Sequence, residues 1–151
     1  MSSIVRVTQA FAVPAEQVYD AWLDPAIARQ FLFATPRGEM LRCEIEPVVG
    51  KGFSITERRP LDDDAATIDI EHAGRYLQLE RPRRIAFGFS VPSFTDTETM
   101  VVVDITAESR GCSLTLRHDL GSGEDAEEGM DRTREGWARI LAKLAETLQK
   151  Q

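Results

Sequence analysis

The chain has 151 residues and a formal net charge of −7, from 18 lysine and arginine residues against 25 aspartate and glutamate residues. This length predicts a single domain, over residues 1–151, that can bury a full hydrophobic core. The acidic balance argues against binding to nucleic acid or to an anionic membrane surface, because both need a basic protein face. Two cysteines cannot make a secreted disulfide scaffold, and the start of the chain has no signal-peptide pattern. We therefore expect a cytoplasmic protein.

The first part of the chain predicts one strand and two short helices. Val5, Val7 and Phe11 alternate with polar residues, which is typical of a half-buried strand. The following segment has helical spacing, and Asp24 before Pro25 has the pattern of an N-cap with proline in the first turn. We therefore expect a break between two helices near Asp24.

From Leu41 to Leu120 apolar residues recur at every second position, which predicts about six strands joined by short turns. The spacing slips after Gly74, so we expect a β-bulge there. The last segment returns to helical spacing, with an apolar stripe made of Trp137, Ile140, Leu141, Leu144 and Leu148.

These elements predict an α+β fold. An antiparallel sheet with one apolar face needs a cover, and the C-terminal helix is the only predicted element long enough to provide it. We expect a curved antiparallel sheet of six to seven strands around this long helix, with two short helices after the first strand.

Both histidines fall on the apolar side of their predicted strands. His72 shares the spacing of Ile70, and His118 shares the spacing of Leu116. Such a histidine either orients a ligand or moves protons, or it is a hydrogen-bonded core residue, and we favour the core interpretation. We rank His118 above His72 as a ligand contact, because His118 ends a strand and the expected bulge obscures the direction of His72.

The two cysteines, Cys43 and Cys112, also have inward spacing. We expect their strands to flank the first strand on either side, which separates the residues by about 9–10 Å. A disulfide needs Cα atoms within about 7 Å, so we expect two free thiols. No C-x-x-C or H-x-x-x-H spacing occurs, and we expect neither a metal site nor another cofactor.

The carboxylates do not suggest a catalytic pair. Glu44 and Glu46 have outward spacing, and the aspartates at 62–64 form a charged run typical of a solvated loop. Glu98 and Asp104 also fall outside the apolar face. We therefore assign no catalytic residue.

Several segments together resemble a known family. VPAEQVYDAWLDPAIARQF, PVVGKGFSI, GRYLQLERPRRIAFGF, SRGCSLTLRHDL and GWARILAKLAETL follow one another over nearly the whole chain. The chain is similar to the START-like superfamily with the helix-grip fold, and within it to stand-alone bacterial-type members of the activator-of-Hsp90-ATPase homologue group. The resemblance implies a cavity between the sheet and the long helix that takes apolar ligands and sometimes serves catalysis. It supplies no catalytic motif.

We expect this cavity to be lined by residues of the helices and the inner sheet face, for which plain core packing is the alternative role. The predicted lining residues are Trp22, Phe31, Phe53, His72, Phe87, Phe89, His118, Trp137, Ile140 and Leu141. Phe33 belongs to the same aromatic group, and Gln9 and Tyr76 are candidate polar anchors.

The function we favour from the sequence is the binding of a small apolar or amphipathic ligand. One alternative is a polyketide cyclase- or hydrolase-like enzyme that uses the same cavity, with His118 or His72 as the acid–base group. Another is a cofactor of an Hsp90-type chaperone, although we expect the chain to start directly at the helix-grip domain, without the N-terminal domain of the eukaryotic co-chaperone. The sequence leaves open whether the protein is a monomer or a homodimer.

Overall fold

Seven antiparallel strands form one sheet, and four helices complete the fold, in a computed structural model that describes residues 2–61 and 66–150. The strands are β1 (Ile4–Phe11), β2 (Glu39–Ile45), β3 (Gly52–Pro60), β4 (Thr67–Glu80), β5 (Arg84–Ser90), β6 (Thr99–Glu108) and β7 (Gly111–Asp119). The helices are α1 (Ala15–Leu23), α2 (Pro25–Phe31), α3 (Glu124–Glu128) and α4 (Met130–Gln149).

The predicted helix-grip architecture is confirmed. The strand order is β1-β7-β6-β5-β4-β3-β2, and α4 packs against β1 and against α2. The predicted break between α1 and α2 is confirmed too, since the carboxylate of Asp24 accepts a hydrogen bond from the backbone N–H of Ala26 at 2.9 Å. No helix among the described residues is long and apolar enough to cross a bilayer.

The predicted bulge at Gly74 is wrong in position. Gly74 pairs regularly with Phe53 in β3, and the register of β4 against β5 shifts between Tyr76 and Gln78. Gly74 is needed for a different reason, because a Cβ atom there would lie 2.0 Å from the ring of Phe53. The alternation that points His72 inward therefore continues through Tyr76, and both side chains are buried.

The predicted neighbourhood of the cysteines is also wrong. Cys112 lies in β7 beside β1, but Cys43 lies in β2 at the opposite edge of the sheet. The physical reason is that α1 and α2 intervene between β1 and β2, so the chain re-enters the sheet at its far side. Both thiols are free, as predicted, and burial raises the pKa of each.

Candidate functional site

The structure brings the ten predicted lining residues together in the hydrophobic core of the sheet and α4. All of them are buried except Ile140, which is half-buried. The rings contact one another: Trp22 lies 6.4 Å from Trp137, and Phe89 lies 6.3 Å from Phe87 and 6.1 Å from Trp137, between ring centroids. These residues are packing partners of one another, and their role as ligand contacts stays a prediction.

His118 is held by two hydrogen bonds that use both of its ring nitrogens. The indole N–H of Trp137 is a donor only, so at 3.0 Å it requires His118 Nδ1 to be the acceptor. The proton of the neutral ring then lies on Nε2 and is donated to the hydroxyl of Thr99 at 2.8 Å. The Thr99 hydroxyl in turn lies 3.4 Å from the carbonyl oxygen of Phe89 and can donate to it.

This chain of bonds needs an uncharged imidazole. Burial lowers the pKa of His118 to about 4, against a smaller opposing effect of Asp119. Protonation of Nδ1 would place two N–H donors face to face. We therefore interpret His118 as a residue that orders the core, and the geometry favours the other histidine as a ligand contact.

His72 is 93% buried, since its exposed fraction is 7%, and its Nδ1 atom has no hydrogen-bond partner in the described part of the chain. Burial lowers the pKa of His72 to about 4, the positive charge of Arg59 acts in the same direction, and a hydrogen bond with the backbone of Ile55 opposes them. A buried polar atom without a partner costs about 1–3 kcal/mol relative to a paired one. Trp22 Nε1 is a second buried atom of this kind.

The ring of Phe33 covers His72. The two rings are parallel within 2° and their centroids lie 4.2 Å apart. Phe33 follows α2 directly after its C-cap and has a backbone φ of +58°, in the left-handed region that costs a non-glycine residue about 1–2 kcal/mol. No other non-glycine residue in the described ranges has a positive φ. The aromatic character of Phe33 is evident from the sequence, but its left-handed backbone conformation is not.

Glu57 is the polar residue that the sequence interpretation missed. Its side chain is almost fully buried, and its carboxylate accepts hydrogen bonds from the backbone N–H of Thr35 at 2.6 Å, from the Thr35 hydroxyl at 3.0 Å and from the guanidinium of Arg59. Gly38 leaves the room for it, because a Cβ atom there would lie 1.9 Å from Glu57 Oε2. The available signal was its spacing, since Glu57 continues the inward positions of Ile55 in β3.

Most of the remaining polar candidates form hydrogen bonds or ion pairs with other groups. The side-chain amide of Gln9 donates to the carbonyl oxygen of Ala10 at 3.0 Å, and burial raises the pKa of Tyr76. Glu98 pairs with Arg75, and Asp104 bridges two arginines, Arg84 and Arg117.

The other acidic candidates of the sequence analysis are exposed or lie outside the described residues. Glu44 and Glu46 are exposed, and the aspartates at 62–64 lie outside the described residues. Within the described ranges no group of three or more histidine, cysteine or acidic side chains could hold a metal ion.

Two depressions lie at the surface of the described residues. One has a volume of about 510 Å³ and is lined by residues of α1, β6 and the β4–β5 turn, among them Arg81 and Ile105. The other, of about 350 Å³, lies along β2 and β3 and includes Phe53, which is the single member of the ten predicted residues in either depression. Aromatic rings of the core, among them Trp22, Phe89 and Trp137, pack between the sheet and α4.

The comparisons with known proteins point to one family and one fold. The model of the family described as Activator of Hsp90 ATPase homolog 1-like protein matches residues 12–149. No curated protein sequence matches the chain significantly.

Three solved structures illustrate the shared fold. A protein from Chromobacterium violaceum is 23% identical with a TM-score of 0.75, over 95% of this chain and 96% of that one. The AHSA1-like protein from Aeromonas hydrophila is 20% identical with a TM-score of 0.77, over 98% of this chain and 93% of that one. A protein from Rhodobacter sphaeroides is 21% identical with a TM-score of 0.81, again over 98% and 93%. At these identities the likeness shows the fold.

Proposed function

This chain belongs to the family of Activator of Hsp90 ATPase homolog 1-like proteins, and we propose that it binds a small, mainly apolar ligand between its sheet and α4. The observation that carries the proposal is a pair of buried polar atoms among aromatic side chains, His72 Nδ1 and Trp22 Nε1, that have no hydrogen-bond partner within residues 2–61 and 66–150. Small-molecule sites combine an apolar lining with a few polar groups that orient the ligand. A ligand with one or two polar groups would satisfy atoms that the protein itself leaves unpaired.

The test uses the two tryptophans of the chain, Trp22 and Trp137, which both lie in this interior. Oleate, cholesterol and 2-naphthol are titrated separately while tryptophan fluorescence and the melting temperature are followed. We expect a saturable fluorescence change and a higher melting temperature with at least one of the three. If none of them produces a saturable change, the proposal is contradicted.

A second candidate function is acid–base catalysis in the same interior, as in a cyclase or hydrolase. The observation that favours it is again the imidazole of His72, which is neutral at pH 7 and has one nitrogen free of protein partners. Once a ligand has been identified, turnover of that ligand is compared between the wild type and His72→Phe. Turnover that survives this substitution would remove His72 from the catalytic role.

A further inference from the structure

The ring of Phe33 occupies a site formed by four aromatic side chains, which we call the aryl site. It lies 4.2 Å from His72, 5.3 Å from Phe89, 5.6 Å from Trp137 and 6.0 Å from Phe53, between ring centroids. These neighbours come from three strands and from α4. Phe33 itself comes from the loop over residues 32–38, between α2 and β2, so its ring enters the aryl site from outside the sheet.

Two opposing effects act on the position of the Phe33 ring: backbone strain at Phe33 itself and hydrogen bonds that fix the neighbouring Thr35. The left-handed φ of +58° at Phe33 opposes the conformation that places the ring there. The opposing hold is the carboxylate of Glu57, which binds Thr35 two residues further along the same loop through its N–H and its hydroxyl. Withdrawal of Phe33 therefore loses apolar contacts but releases backbone strain, and a ligand that restores those contacts can replace the ring.

Phe33 occupies the aryl site but leaves Nδ1 of His72 without a hydrogen-bond partner in the described residues. A phenyl ring cannot form the hydrogen bond that His72 Nδ1 lacks, and this nitrogen is sealed from solvent. A hydroxyl group both donates and accepts, so it can pair with Nδ1 whichever tautomer the imidazole adopts. A flat, hydroxyl-bearing ring system would make the contacts of Phe33 and also supply this missing bond.

We propose that Phe33 is an internal occupant of the aryl site, and that planar aromatic compounds carrying a hydroxyl group bind to the protein by displacing it. This inference rests on the proposed function, because it names the ligand class and the entry step for the same interior. It assigns the loop over residues 32–38 as the segment that moves when a ligand enters.

The experiment compares the wild type with Phe33→Gly, which removes the ring and relieves the left-handed strain. The probes are 2-naphthol and naphthalene, and tryptophan fluorescence titration measures the Kd. We expect Phe33→Gly to bind 2-naphthol at least tenfold more tightly than the wild type does, and at least tenfold more tightly than it binds naphthalene. The preference for 2-naphthol should disappear in a Phe33→Gly, His72→Phe double variant.

The matched control is Phe11→Ala, which opens a space in the core at a buried phenylalanine of β1 that is not among the predicted lining residues. An equal gain in affinity in this control would overturn the proposal, because any cavity would then suffice. Equal binding of naphthalene and 2-naphthol by Phe33→Gly would overturn the assigned ligand class.

A measurement on the wild type does not depend on the stability of any variant. Saturating 2-naphthol should speed amide hydrogen exchange at Thr35 and Gly38, whose N–H groups are bonded to Glu57 and to the Thr35 carbonyl oxygen. Unchanged exchange at both amides would overturn displacement. If oleate or cholesterol binds while Phe33→Gly gains nothing for 2-naphthol, this inference fails and the proposed function stands. If no probe binds to either protein, both fail.

Discussion

The two histidines point to the same interior from strands of the same sheet, yet their surroundings differ. Both nitrogens of His118 have partners, in Trp137 and Thr99, whereas Nδ1 of His72 has none in the described part of the chain and its ring is covered by Phe33. Both histidines are buried and both have a pKa lowered to about 4, yet only His118 has both ring nitrogens in hydrogen bonds among the described residues. Burial alone therefore does not separate a histidine that orders the core from one that is available to a ligand.

The largest expected effect is that of His118→Phe. The substitution removes both hydrogen bonds at once and leaves the buried Trp137 N–H and the half-buried Thr99 hydroxyl without this partner. We expect a loss of about 4 kcal/mol in the free energy of unfolding, measured by urea denaturation. A loss below about 1 kcal/mol would contradict the structural role of His118.

The next effect is the pH dependence of stability. Histidine in the unfolded chain takes up a proton near pH 6.5, whereas both pKa values in the folded protein lie at about 4. Between these values the unfolded chain binds more protons, so the free energy of unfolding falls as the pH drops from about 6.5 to 4, by up to about 3 kcal/mol for each histidine.

Urea midpoints measured at pH 7, 5.5 and 4.5 check this dependence. The control is His72→Phe, in which roughly half of the histidine-linked decrease should be absent because one of the two groups is removed. A pH dependence as steep in this variant as in the wild type would show that His72 does not contribute.

A smaller effect is expected from Glu57→Gln. This substitution tests whether the Glu57 carboxylate holds the loop over residues 32–38 in place through Thr35. The amide keeps an acceptor oxygen for the Thr35 N–H but loses the charged bond to Arg59. We expect about 2 kcal/mol of destabilisation, together with faster amide exchange at Thr35. Unchanged exchange at Thr35 in a destabilised variant would mean that Glu57 does not clamp this loop.

The smallest effect is expected from His72→Phe. The new ring keeps the stacking with Phe33 and removes a buried nitrogen that has no partner. We expect the free energy of unfolding at pH 7 to change by less than about 1 kcal/mol, in contrast to the same substitution at His118. Equal losses at the two positions, measured by urea denaturation, would remove the distinction between the histidines.

Much of the fold was predictable because it depends on local periodicity. Alternating apolar residues mark the strands, the stripe from Trp137 to Leu148 marks the covering helix, and Asp24 before Pro25 marks the break between α1 and α2. The inward direction of His72 and His118 follows from the same alternation, and both are buried. Strand order is less local, and for this reason the predicted position of Cys43 beside β1 was wrong.

Local periodicity set the inward direction of most interior residues, because the period of a strand or helix fixes the side to which each side chain points. Which hydrogen bonds and ring contacts those residues make depends instead on how distant elements pack together. Three contacts join residues at least 19 positions apart. They are the hydrogen bond from Trp137 to His118, the hydrogen bond from Thr35 to Glu57, and the stacking of Phe33 on His72. No local pattern encodes such distances, since they depend on how the sheet, α4 and the loop over residues 32–38 pack together. That packing pairs both ring nitrogens of His118 and leaves Nδ1 of His72 without a hydrogen-bond partner among the described residues.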